Sequence, residues 1–120
     1  MRRTYLLLVL VAACGGPLDQ KQLHGEVESL HSLAAESRLL FERDVTQHYF
    51  DEHRQMLADN IRDASKQLAR GVDDPALEPD QKTAYVLARA LEPIVRAGKD
   101  PRAIQPIEQL LAGIDTRLAP

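Results

Sequence analysis

His24, Glu28 and His31 stand at i, i+4 and i+7 near the start of a long stretch without proline. On a helix this spacing brings successive pairs onto one flank. Imidazole nitrogens and a carboxylate are suitable ligands for zinc or copper. His48 and Glu52 repeat the i, i+4 pair, with His53 beside it. One helix supplies too few ligands for a closed site, and no histidine follows His53. Any further ligand must therefore be a carboxylate such as Glu92, Glu108 or Asp115. The same positions also suit a plainer role. His24 and His31 border an apolar stripe, where an amphipathic ring bridges core and solvent, and His48 falls on the stripe as a packed core histidine would. The plainer role is preferred, so no cofactor is expected. Zinc or copper held by His24, Glu28 and His31 is the alternative.

Other chemistry finds less support. Ser29, Ser32, Ser37 and Ser65 all fall inside expected helices, without the glycine-rich elbow that exposes a nucleophilic serine. Glu28-x-x-His31 has the form of one carboxylate–histidine element of a di-iron bundle, but such a centre needs a second copy on another helix besides two further glutamates, and the second copy is missing. No glycine loop could cradle a phosphate. An enzyme is not expected. Lysines and arginines are scattered rather than striped, which argues against nucleic acid as a partner. Charged runs such as Glu52-His53-Arg54 and Asp59 to Asp63 read as solvated faces, with Asp63–Lys66 and Glu92–Arg96 as helix-surface pairs.

Cys14 is the only cysteine of the 120 residues, and its position assigns its chemistry. Arg2 and Arg3 form a positive n-region, Tyr5 to Val11 an apolar core, and Ala12-Ala13 a small-residue cleavage site that ends on Cys14. Thr4 to Ala13 is too short for a membrane span, which takes roughly 20 residues. Val11-Ala12-Ala13-Cys14 resembles the lipobox of bacterial lipoproteins, with Val11 where that class usually has leucine. The resemblance covers residues 1–14 alone. It implies cleavage before Cys14 and a diacylglyceryl group on its sulfur. Two or more acyl chains hold a protein stably on a bilayer. Gly15 and Gly16 follow, with no aspartate at the second mature position, a pattern similar to that of lipoproteins exported to the Gram-negative outer membrane. The expected location is thus the bacterial cell envelope, lipid-anchored at the outer membrane and facing the periplasm. In size, anchor and helix content the chain is also similar to the pilotins, lipoproteins that hold a partner helix in a groove, although no pilotin motif is matched and the cysteine pair of some pilotins is absent.

Removal of residues 1–13 takes Arg2 and Arg3 from the 15 basic residues, leaving 13 against 18 acidic ones, a net charge of −5. With Cys14 carrying lipid no thiol remains, so the domain relies on its hydrophobic core. The expected organisation is a cleaved signal at 1–13, a lipidated tether at 14–18 and a helical domain at 19–120.

Helix signals dominate that domain. Asp19-x-x-Gln22 has the form of a capping box, and no proline interrupts the chain from there to Arg70. Gly71 suits a C-cap. Pro79 opens a second segment ending at Gly98, and Asp100-Pro101 opens a third ending near Leu118. Pro93 and Pro106 are expected to perturb these helices. Leu23, Val27, Leu30, Ala34, Phe41 and Val45 share one face of the first segment. Phe50, Leu57, Ile61, Ala64 and Leu68 lie on almost the opposite face, at about 100° per residue. Ala84, Leu87, Ala88, Leu91 and Val95 form a third stripe, and Ile107, Leu110, Leu111, Ile114 and Leu118 a fourth.

The expected fold is all-α: a long N-terminal helix, bent near residues 46–50, packed against two shorter C-terminal segments in a hairpin-like bundle of three to four helices. The shift between the first two stripes leaves Phe41, Tyr49, Phe50 and Leu57 as candidate partner-binding residues, although core or hairpin contacts are the plainer reading of all four. The expected role is a structural or adaptor module contacting another envelope protein or a second copy of itself. A periplasmic metal-binding or metal-sensing protein is the alternative.

Overall fold

The computed structural model describes residues 18–43, 50–70, 79–98 and 100–119. The signal sequence, Cys14, Tyr49, Gly71 and the expected bend at 46–49 lie outside these residues. Four helices form the domain: α1 (Gln20–Arg43), α2 (Phe50–Leu68), α3 (Pro79–Ala97) and α4 (Ile104–Leu118), the last preceded by a 3-10 turn at Pro101–Ala103.

Local signals account for most helix ends. The capping box forms as the sequence implies, with the Gln22 N–H donating to Asp19 Oδ1 at 2.7 Å and the Asp19 N–H to Gln22 Oε1 at 3.0 Å. At the end of α3, Gly98 adopts φ +66° and donates its N–H to the Ile94 carbonyl at 3.2 Å. A β-carbon there would lie 2.7 Å from Cδ of Arg54, whose side chain crosses the glycine. Pro93 stands inside α3 without ending it. Pro106 falls in the first turn of α4, where its missing N–H leaves no intrahelical bond unmade.

The long N-terminal helix of the sequence reading is corrected to two helices. Phe41 and Phe50 have ring centroids 5.6 Å apart, whereas nine residues of continuous helix would separate them by about 13.5 Å. The chain therefore reverses between α1 and α2. The two stripes on opposite faces of one imagined helix are the inward faces of two antiparallel ones.

Neighbouring helices of the bundle pack antiparallel. Residues 24 and 38 of α1 meet 115 and 108 of α4. Residues 55 and 59 of α2 meet Arg96 of α3, while Leu68 meets Gln81. Asp80 of α3 meets Arg117 of α4. The result is an up-down-up-down bundle in which α1 lies beside α2 and α4, and α3 beside the same two. Its centre is aliphatic, built on Leu23, Val27 and Leu30, Leu57 and Ile61, Leu91 and Val95, and Ile104, Leu111 and Ile114. Leu110 departs from its expected stripe: it is 56% exposed, on the α3 side of α4.

Two buried polar side chains satisfy backbone groups. Ser37 donates its hydroxyl to the Leu33 carbonyl at 2.8 Å. Gln81 Nε2 donates to the Leu68 and Arg70 carbonyls at 3.0 and 2.9 Å, capping the end of α2 from α3. Among the described residues no helix is long and apolar enough to cross a membrane.

Candidate cation-binding site

The α1–α4 seam carries the titratable side chains that the sequence singled out. His24 follows Leu23 and Asp115 follows Ile114, so each lies just off its helix's buried stripe, on the flank that faces the other helix. Nε2 of His24 lies 2.9 Å from Oδ1 of Asp115, and both side chains are about three-quarters buried. Glu28, one turn further along α1, places Oε2 4.0 Å from the same nitrogen and is largely exposed. One ligand atom from each of His24, Glu28 and Asp115 falls within 4.8 Å of the others.

His24 and Glu28 thus meet as their spacing implies, but the third member is Asp115 in place of His31. The reason is geometric. His31 stands about 10.5 Å further along the helix axis than His24, whereas the antiparallel α4 brings Asp115 level with His24. Asp115 had been one of three carboxylates available from later segments. The other two are engaged elsewhere: Glu108 with Arg38 of α1, and Glu92 with Arg96. The sequence signal for Asp115 was its place beside Ile114 at the edge of an apolar stripe.

Oδ1 of Asp115 is shielded from solvent and yet accepts no hydrogen bond. Its 2.9 Å approach to His24 Nε2 is close in distance but poorly aligned for an N–H···O bond. A hollow lined by Gln20, Lys21, His24 and Leu118 opens beside the imidazole. Two unlike donors at this range, with the imidazole open to the hollow, can share a proton or a cation.

Of the partner-binding candidates, Phe41, Phe50 and Leu57 are 6%, 8% and 0% exposed, because the reversal between α1 and α2 turns both stripes into one core, and Tyr49 lies outside the described residues. Among the described residues, the large apolar side chains left at the surface are Leu39, Met56, Val86 and Leu110, one on each helix. Ser29, Ser32, Ser37 and Ser65 lie within helices α1 and α2. Of the second histidine group, His48 lies outside the described residues, Glu52 is exposed and His53 half-buried.

Compared with models of protein families, with curated proteins and with solved structures, the chain matches none of them.

Proposed function

We propose that this chain is a lipid-anchored protein of the bacterial cell envelope, at the outer membrane and facing the periplasm. Its helical domain serves as a structural or adaptor module by contact with another envelope protein or a second copy. The order of charge, apolar core, small residues and Cys14 supports the anchor. What supports the module's placement is Leu18, which lies four residues beyond Cys14 and packs against the bundle core. Four residues span at most about 14 Å. An acylated Cys14 would hold the pole formed by the start of α1 and the end of α4 close to the bilayer. Contact with neighbours would fall on the polar outer faces of the helices, since Phe41, Phe50 and Leu57 are core residues.

The test is to label cells with an alkyne fatty acid and to compare wild type with Cys14→Ser by membrane fractionation. Wild type should carry the label and sediment with the outer membrane, and the variant should do neither. An unlabelled wild type, or a variant that sediments as before, overturns the anchor. In-cell crosslinking of the wild type then tests the module: capture of neither a second copy nor an envelope protein overturns that role.

A further inference from the structure

The seam between α1 and α4 has the donor set of a metal site that the histidine spacing alone does not give. We propose that His24 Nε2, a carboxylate oxygen of Glu28 and Oδ1 of Asp115 bind one divalent transition metal of the zinc class, with water completing its coordination.

The chemistry fits the donors. Zinc binds imidazole nitrogen and carboxylate oxygen at about 2.0–2.2 Å. Ligand atoms of a tetrahedral ion are therefore roughly 3.3–3.6 Å apart. The separations here, 2.9 Å from His24 to Asp115 and 4.0 Å from His24 to Glu28, lie on either side of that spacing, and exposed Glu28 is free to adjust. The helix sets the first two donors one turn apart, and the bundle sets the third. Two carboxylates and a neutral imidazole contribute a charge of −2, which a divalent ion neutralises.

Asp115 Oδ1 supplies an independent reason. It is shielded from water, accepts no hydrogen bond, and faces a ring nitrogen at 2.9 Å. An unprotonated imidazole nitrogen and a carboxylate oxygen held that close repel unless a proton or a metal ion lies between them, and a shielded acceptor without a partner is costly. A metal ion bound by both atoms removes the repulsion and satisfies the oxygen. The hollow beside His24 gives a hydrated ion its approach, and exposed Glu28 can close over it. Binding would fasten the start of α1 to the end of α4.

The experiment is a zinc titration of the full chain in competition with a chromophoric chelator. It is run in a Cys14→Ser background so that no thiol competes. Such a protein cannot be acylated, so the result is independent of the anchor, and either reading can fail while the other stands. One zinc per chain is expected. Asp115→Asn and His24→Gln should each weaken it about tenfold or more, His31→Gln should leave it unchanged, and zinc should raise Tm in the parent but not in Asp115→Asn. Far-UV circular dichroism checks that each variant is folded, and two variants at different ligands guard against the loss of one. Absence of stoichiometric binding, equal affinity in Asp115→Asn, or a loss in His31→Gln matching that in His24→Gln would overturn the site.

Discussion

Arg38 of α1 and Glu108 of α4, 70 residues apart in sequence, meet in a two-point fork: Nε donates to Oε2 at 2.6 Å and Nη2 to Oε1 at 3.1 Å. Nη1 also reaches Glu42, at 3.3 Å. The hydrogen bonds to Glu108 raise the guanidinium's pKa further above its already high value. Glu108 is only 15% exposed, so the carboxylate depends on this partner. Removing one member of such a pair leaves the other charge stranded, whereas replacing both by apolar groups need not. Arg38→Met alone should therefore lower Tm more than the double variant Arg38→Met/Glu108→Leu. Arg38→Lys should fall short of wild type because an ammonium cannot match both oxygens. Thermal unfolding of wild type, Arg38→Met, Glu108→Leu and the double variant as a double-mutant cycle, with Arg38→Lys alongside, checks this, and equal losses in Arg38→Met and the double variant would refute it.

Gln81 is a buried side chain of α3 whose amide donates to two carbonyls at the end of α2. Gln81→Leu keeps the volume and deletes both bonds, leaving the Leu68 carbonyl without that donor. Urea unfolding should show a loss of about 1–3 kcal/mol. A loss of only a few tenths would mean that water replaces the amide there.

Burial raises the pKa of Glu26 above its ordinary value, and the nearby Arg70 only partly offsets this. A carboxyl whose folded-state pKa exceeds its unfolded value binds protons more tightly when folded. Its ionised form therefore costs stability above the folded pKa, and that cost is relieved as pH falls towards the unfolded value. Glu26→Gln should raise Tm at pH 7, and its advantage should shrink as pH falls through the folded pKa. A constant difference between pH 7 and pH 4 would refute the linkage.

Gly98 combines a left-handed backbone with a neighbour where a β-carbon would go. Gly98→Ala should cost about 1 kcal/mol or more. Part of that cost comes from Arg54 and part from the backbone. Adding Arg54→Ala to Gly98→Ala should thus recover some of the loss without recovering all of it. Strict additivity of the two substitutions would show that their contact is unimportant.

Much of the fold was legible. Asp19, Gln22, Pro79, Gly98 and Pro101 marked helix ends through backbone chemistry, which acts within a few residues. The reversal between α1 and α2 was visible only as a contradiction, two stripes that no single straight helix could bury. Neither proline nor glycine stands between Arg43 and Phe50 to announce a turn. The candidate site was half legible for a related reason. His24 and Glu28 belong to one helix, so their meeting follows from spacing, but Asp115 joins them only through tertiary register. Gln81 left no sequence signal at all, since a glutamine on a helix ordinarily faces solvent.

The ion pairs on the seams follow a rule with a consequence for folding. His24, Arg38, Glu108 and Asp115 each come directly after a buried residue, whereas Asp80 and Arg117 each come directly before one. The first set joins α1 to α4 and the second joins α3 to α4. Four helices with inward apolar stripes can close in two senses, left-turning or right-turning, and both bury the same aliphatic side chains. In the opposite sense the flanks exchange neighbours, and Arg38 and Glu108 would lie on different seams, leaving Glu108 without Arg38 and Arg38 with only Glu42 of its own helix. The aliphatic core makes this chain collapse, and the polar borders of its stripes choose between two mirror-related topologies.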